Sequence, residues 1–124
     1  MRFISTWVHG VLDYVVGIFL LFAPRVFGFQ NGGSEDRIFV FLGVATLIYS
    51  LLTRYELGLF KVLRFRTHLT LDIINGALLA MSPWVFGFVE RVWAPHLIIG
   101  LFELGVVLLT QPHTAETGLQ RIGR

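Results

Sequence analysis

The chain repeats itself, and this repeat constrains the fold more than any other feature. Residue 9 aligns with residue 68, which places HGVLDYVVGIFLLFAPRVFGF (9–29) over HLTLDIINGALLAMSPWVFGF (68–88). After a two-residue deletion the match resumes, with LGVATLIYSLLT (42–53) over IGLFELGVVLLT (99–110). A unit that recurs within one chain indicates a single supersecondary structure built twice. The sequence therefore predicts two tandem copies of one structural unit.

Each unit contains two apolar segments long enough to approach the thickness of a membrane. A helix needs about 20 residues to cross the hydrocarbon core of a bilayer. Of the 124 residues, 55% are hydrophobic and 15% are charged, too few polar residues to cover a soluble domain. We predict four transmembrane helices, at about 8–28 and 36–53 in the first repeat and about 67–88 and 92–110 in the second.

The predicted fold class is an all-α membrane protein made of two tandem helical hairpins. The first repeat covers 6–59, the second covers 65–110, and a polar cytoplasmic tail follows at 111–124. Each repeat crosses the membrane twice, so both repeats enter from the same side. This arrangement predicts a pseudo-two-fold axis along the membrane normal.

The charges of the loops predict the orientation. The central connection RYELGLFKVLRFR (54–66) carries four basic residues and one acidic residue, whereas the loops on the opposite side are balanced. Basic loops are retained in the cytoplasm. We predict a multi-pass protein of the inner (cytoplasmic) membrane with both termini in the cytoplasm.

A proline motif recurs near the end of the first helix of each repeat, as FAPRVFGF (22–29) and MSPWVFGF (81–88). Proline lacks a backbone donor and biases the preceding residue away from the helical region. We predict that the motif ends the helix, that its serine caps a new turn, and that its tryptophan anchors the headgroup region. Gly28 and Gly87 then allow the chain to turn back. The residues assigned to the helix end are Pro24, Ser82, Pro83 and Trp84.

Ser82-Pro83-Trp84 also carries a resemblance to a known family. The chain resembles the SPW-repeat membrane proteins, whose unit is two membrane helices with Ser-Pro-Trp in the first. The resemblance covers nearly the whole chain, although Ala23-Pro24-Arg25 in the first copy keeps only the proline. It implies the same membrane fold and implies no particular activity.

A second shared pattern, H-x-x-x-D-x-x-x-G, places ionisable residues inside the predicted membrane helices. It occurs at 9–17 and again at 68–76. Residues four apart share a helix face, and a glycine one turn further on lets a neighbouring backbone approach. We expect the two faces to meet near the pseudo-two-fold axis in the cytoplasmic half. The predicted polar cluster is His9, Asp13, His68, Asp72 and Glu103, and the predicted close-packing glycines are Gly17, Gly43, Gly76 and Gly100.

Three interpretations of the histidine–aspartate pairs stay open at this point. The pairs could fix which helix faces which, as polar contacts between membrane helices do. They could form a protonatable relay or ion site in a small transporter or channel. They could bind a metal ion, or the two histidines could hold a haem. Spacing alone positions no ligand set, so we assign no catalytic, cofactor-binding or metal-binding residues.

The sequence also suggests roles for four polar residues outside the histidine–aspartate pairs. Glu103 is interpreted either as a protonated carboxyl bonded to a neighbouring helix or as part of a proton path. Asn75 is expected to hydrogen-bond across the bundle, and His96 and His113 are interpreted as interfacial or loop residues.

The sequence argues against several function classes. It contains no phosphate-binding glycine loop, no cysteine and no serine nucleophile with a positioned base. Its basic residues lie at helix ends rather than among aromatics, which argues against nucleic-acid binding. We predict a non-enzymatic membrane protein without a cofactor. Its expected partners are the lipid bilayer and either further copies of itself or another membrane protein, contacted through glycine-containing faces such as those of Gly43 and Gly100. The alternative is a small proton- or cation-coupled transporter or channel that uses the His-Asp pairs.

Overall fold

The computed structural model describes residues 2–112, which form four α-helices and, apart from two isolated β-bridges, no β-structure. The helices are α1 (Thr6–Val26), α2 (Ser34–Leu51), α3 (Phe65–Val85) and α4 (Ala94–Leu109). The all-helical, four-helix part of the prediction is confirmed. The predicted tail at 111–124 falls, from His113 onward, outside the described residues.

Among residues 2–112, one helix, α1, is long and apolar enough to cross a membrane. Helix α4 is also apolar but contains only 16 residues. The charged first turn of α2, with Glu35, Asp36 and Arg37, lowers the apolar character of that helix.

The helices pack as two hairpins whose crossings are made by glycine. Helix α1 packs along α2, α3 packs along α4, and α2 against α3 joins the hairpins, while α1 and α4 have few contacts within residues 2–112. A Cβ on Gly43 would lie 2.9 Å from the carbonyl oxygen of Gly17, and one on Gly100 would lie 2.6 Å from that of Gly76. Gly43 and Gly100 are buried by their own hairpins. They do not offer the self-association surface expected of them.

The prolines lie inside the last turns of α1 and α3 and do not end these helices. Pro83 has no N–H to offer the carbonyl of Leu79, four residues earlier. The hydroxyl of Ser82 donates to that same carbonyl oxygen at 2.7 Å and so replaces the missing bond. The prediction that Ser82 caps a new turn started by Pro83 is wrong, because both residues still belong to α3. Trp84, beside them, is half-exposed.

Two glycines turn the chain after the prolines. Gly28 and Gly87 have φ of +78° and +76°, in the left-handed region that side chains disfavour. The next residues, Phe29 and Phe88, donate their amides to the proline carbonyls five residues earlier, at 2.8 and 2.9 Å. Both phenylalanine rings then enter the core. The repeated VFGF sequence is therefore a glycine helix end followed by a core residue.

His96 is buried in the first turn of α4, so its interpretation as a loop residue is wrong. Its ring packs against Phe29, Phe39 and Phe88, with centroids 5.2, 4.4 and 4.8 Å away. In the repeat alignment His96 stands opposite Phe39, itself a core residue. The alignment of the repeats therefore indicates a core position for His96.

An ion pair connects the hairpins at this end of the bundle. The guanidinium of Arg91, in the α3–α4 turn, donates to both carboxylate oxygens of Glu35 at 2.8 and 3.1 Å. Asn31 also donates to Glu35, at 2.8 Å. The hydrogen bond to the Glu35 carboxylate raises the pKa of Arg91.

Candidate functional site

Four side chains from the first halves of α1 and α3 converge at the opposite end of the bundle. They are His9 and Asp13 from α1 and His68 and Asp72 from α3, and all four are buried. One nitrogen or oxygen atom of each lies within 4.8 Å of the corresponding atoms of the other three. We call these four residues the His–Asp cluster.

The shortest contacts of the His–Asp cluster cross between the repeats. His9 Nε2 lies 2.7 Å from Asp72 Oδ2, and His68 Nε2 lies 2.6 Å from Asp13 Oδ2. The contacts within each helix are longer, at 3.2 Å in both cases. The i,i+4 pairs read from the sequence are therefore secondary, because the facing helix brings its carboxylate closer than the same helix can.

Two threonines at matching positions fix the orientation of the histidines. His9 Nδ1 lies 2.8 Å from the hydroxyl of Thr110, and His68 Nδ1 lies 2.7 Å from that of Thr53. Each hydroxyl donates its only hydrogen to the backbone carbonyl four residues earlier, at 2.5 Å for Thr110 and 2.6 Å for Thr53. Its oxygen can then only accept, so each Nδ1 must donate. Both rings therefore carry a hydrogen on Nδ1 and direct Nε2 at the carboxylates.

The backbone holds these threonines by isolated parallel bridges. Thr110 pairs with Ile4, just before α1, and Thr53 pairs with Leu63, just before α3. The segment before each first helix is thus attached to the segment after a second helix. The signal for the threonines was present in the repeat, as the shared Leu-Leu-Thr at 51–53 and 108–110. Their role could not be read from it because nothing in the spacing places them beside a histidine.

The α2–α3 connection covers the His–Asp cluster. Tyr55, in this connection, is fully buried with its ring centroid 5.3 Å from that of His68. Phe65 stacks on His68 and meets His9 edge to face, at 5.6 and 5.5 Å. The hydroxyl of Tyr14 donates to the carbonyl of Leu57 at 2.8 Å and attaches the connection to α1. The connection interpreted as a basic topology signal also closes one end of the site.

The two repeats differ beside the aspartates. The hydroxyl of Tyr49 donates a hydrogen bond to Asp72 Oδ1. The aligned residue in the second repeat is Val106, which cannot bond to Asp13. Asp13, Val106 and Glu103 instead line a small pocket between α1 and α4, with room for about one water molecule. The smaller valine leaves this space.

Two further residues named from the sequence lie near this pocket. Glu103 lines it, and its buried Oε1 has no hydrogen-bond partner among the described residues, so this atom does not make the interhelical bond expected of it. Asn75 donates across the bundle to the carbonyl of Leu42 and the hydroxyl of Thr46, at 3.2 and 3.0 Å.

The geometry limits what the His–Asp cluster can hold. Because Nδ1 already carries a hydrogen, each short Nε2–Oδ2 contact places two lone pairs together unless a proton or a cation lies between them. A haem does not fit, because the rings of His9 and His68 lie edge to face with centroids 5.5 Å apart, and each Nε2 already faces a carboxylate. The four convergent atoms remain compatible with protons or a single metal ion.

The comparison with protein families agrees with the repeat. The SPW repeat domain matches residues 6–110. The chain belongs to the SPW repeat family. Its match covers both repeats and confirms the resemblance drawn from the Ser-Pro-Trp motif. No curated protein and no solved structure matches this SPW repeat protein, so its function has to be argued from the site and the surface.

Proposed function

We propose that this SPW repeat protein is a four-span protein of the inner membrane that acts without catalysis, as a self-associating or accessory membrane subunit. The observation that carries the proposal is that all four helices turn apolar side chains outward and polar side chains inward. Each of the following outward residues exposes at least 42% of its surface: Trp7, Val15, Ile18 and Phe22 on α1; Phe41, Val44 and Ile48 on α2; Ile74 and Met81 on α3; Ile98, Leu101 and Leu108 on α4.

The distribution of charge supports four spans. Within the helices, every acidic or basic residue other than Asp13, Asp72 and Glu103 lies in a first or last turn. The 18 residues of α2 and the 16 of α4 correspond to about 27 and 24 Å of helix. Local thinning of the bilayer and snorkelling side chains at helix ends accommodate spans of this length.

The contacts described above also support a pseudo-two-fold axis along the membrane normal. His9 with Thr110 corresponds to His68 with Thr53, and the crossing at Gly17 and Gly43 corresponds to that at Gly76 and Gly100. Because each histidine bonds to the aspartate of the other repeat, the His–Asp cluster holds the hairpins in one relative position. The outer apolar surface, including the weakly packed seam between α1 and α4, is left for lipid and a membrane partner.

Cysteine labelling tests the topology, because the natural chain contains no cysteine. Gln30→Cys and Glu90→Cys place thiols in the two short exposed turns, and Leu59→Cys places one in the exposed α2–α3 connection. A membrane-impermeant maleimide is expected to label the first two in intact cells and the third only after permeabilisation. Labelling of Gln30→Cys and Glu90→Cys from opposite sides would contradict four spans.

The pocket beside Asp13 favours a second candidate, a small proton- or cation-coupled transporter or channel. Its wall includes Glu103, where the first repeat has Thr46. In proteoliposomes, Glu103→Thr should abolish an ion flux, and so should His9→Ala combined with His68→Ala. If the wild-type protein gives no more flux than empty liposomes, or if the double variant weakens assembly without changing flux, this candidate is dropped.

A further inference from the structure

We propose that the His–Asp cluster binds one divalent first-row transition-metal ion, for which Zn²⁺ is the best match. The ligands are Nε2 of His9 and His68 and one carboxylate oxygen each of Asp13 and Asp72. The site stands on the geometry of these side chains and does not depend on the number of membrane spans or on transport.

The spacing of the four atoms suits four-coordinate binding. Zinc lies about 2.0–2.2 Å from nitrogen and oxygen ligands, so the corners of its tetrahedron are about 3.3–3.6 Å apart. In the His–Asp cluster, two of the nitrogen–oxygen separations are 3.2 Å and the other two are 2.6 and 2.7 Å. All four atoms lie within 4.8 Å of one another. Sub-ångström movements along the short contacts would therefore admit an ion.

The surroundings of the histidines are those of metal ligands. A histidine that binds a metal through one nitrogen almost always donates the other N–H to an oxygen, which fixes its tautomer. Thr110 and Thr53 accept from Nδ1 of His9 and His68, and each is held by its own hydroxyl bond and by a backbone bridge.

Charge and ligand type select the class of ion. Two neutral imidazoles and two carboxylates carry a charge of −2, which a divalent ion neutralises inside an apolar bundle. The ion takes the place of the two protons that otherwise separate Nε2 from Oδ2, so the net charge of the bundle interior does not change. Mixed imidazole and carboxylate ligands without sulfur suit zinc and its first-row neighbours, whereas Ca²⁺ and Mg²⁺ prefer oxygen alone.

The pocket provides the remaining space that such an ion needs. It adjoins His9, Asp13 and Asp72 and lies between α1 and α4, which have few contacts with each other. A water molecule there can hydrogen-bond to the carboxylate of Asp13, outside the four-coordinate shell of the ion. The Tyr49 hydroxyl closes the opposite side by its bond to Asp72, so the ion has one open side, toward Glu103.

Metal analysis of the untagged full-length protein in mild detergent tests the site. Inductively coupled plasma mass spectrometry of protein from zinc-supplemented cells should find one zinc per chain. Co²⁺ added to metal-stripped protein should give the intense visible absorption of a tetrahedral complex. Asp72→Asn should lose both signals. His96→Phe is the matched control, because it removes a buried histidine elsewhere and installs the residue found at the aligned position 39.

Thr53→Val provides a test that does not remove a ligand. Loss of the Nδ1 acceptor should weaken Co²⁺ binding by about 10–100-fold while leaving the stoichiometry at one, as loss of such outer contacts does. This variant decides the question if Asp72→Asn does not fold. Absence of a Co²⁺ spectrum in the wild-type protein would overturn the proposal. Equal affinity of the wild-type protein and Thr53→Val would overturn it as well, because the ion would then lie elsewhere.

Discussion

At the scale of single residues, the two carboxylates of the His–Asp cluster have different surroundings. Both border the pocket, but Asp72 also receives the hydroxyl of Tyr49, whereas the aligned residue in the second repeat, Val106, offers no such donor to Asp13. Both repeats carry the same histidine and aspartate, whereas the aligned residues Tyr49 and Val106 differ and make the surroundings of the cluster asymmetric. The open side is where a water or a ligand can reach the cluster.

The bond from Tyr49 makes the first prediction. Tyr49→Phe removes a buried donor to Asp72 and should lower the free energy of unfolding by about 1.5–3 kcal/mol, the usual worth of a hydrogen bond to a charged group. Tyr14→Phe is the control, because its bond to the neutral carbonyl of Leu57 is worth about 0.5–1.5 kcal/mol. Denaturant titration in mixed micelles measures both. Equal losses of unfolding free energy would show that the bond from Tyr49 to the carboxylate stabilises the fold no more than a bond to a neutral carbonyl does.

At the scale of the helices, the glycine crossings determine how closely the two members of each hairpin approach. Gly76 and Gly100 bring the backbones of α3 and α4 together without intervening side chains. Membrane helices associate through such packing because lipid supplies no hydrophobic driving force between them. Each crossing is therefore sensitive to a single added methyl group.

Two glycines of α4, one at the crossing and one away from it, test how the added methyl group of an alanine changes stability. In Gly100→Ala, the new Cβ would lie 2.6 Å from the Ala80 nitrogen and the Gly76 oxygen, which are backbone atoms that cannot move aside easily. We expect a loss of about 1–3 kcal/mol by overpacking. In Gly105→Ala, no atom lies within 4 Å of the new Cβ, and helix propensity should add up to about 1 kcal/mol of stability. Thermal unfolding in detergent distinguishes them, and equal stability of the two variants would contradict close packing at the crossing.

At the scale of the whole molecule, the His–Asp cluster couples the two repeats. Each histidine contacts both aspartates, so removing one carboxylate changes the environment of the other. Groups that share partners in this way show interaction energies of about 0.5–3 kcal/mol in double-mutant cycles.

A double-mutant cycle makes the third prediction. The unfolding free energies of Asp13→Asn, Asp72→Asn and the double variant should be non-additive within that range. Asp72→Asn combined with Arg91→Gln is the control, because Arg91 bonds to Glu35 at the other end of the bundle. This pair should be additive within about 0.5 kcal/mol. An additive Asp13–Asp72 pair would mean that the repeats fold without coupling through the cluster.

The sequence by itself determined the four helices, the two repeats and the residues of the His–Asp cluster. It could do so because hydrophobic patterning is local, and because alignment of a chain with itself reveals positions that share a role. The same alignment pairs Thr53 with Thr110 and His96 with Phe39, but it does not indicate which side chains these residues contact. The prolines were misplaced because local propensity favours ending a helix there, whereas the Ser82 hydroxyl satisfies the carbonyl that Pro83 leaves unpaired.

Only the tertiary structure decided which atoms meet. The cross-repeat pairing of His9 with Asp72 and of His68 with Asp13 depends on how closely α1 and α3 approach, and sequence spacing contains no such distance. The direction of each Nε2 depends on a threonine from another element. Thr53 lies 15 residues before His68, and Thr110 lies 101 residues after His9. The sequence predicted pairs on two helix faces that meet near an axis, and packing joins them into one cluster whose shortest contacts cross between the repeats.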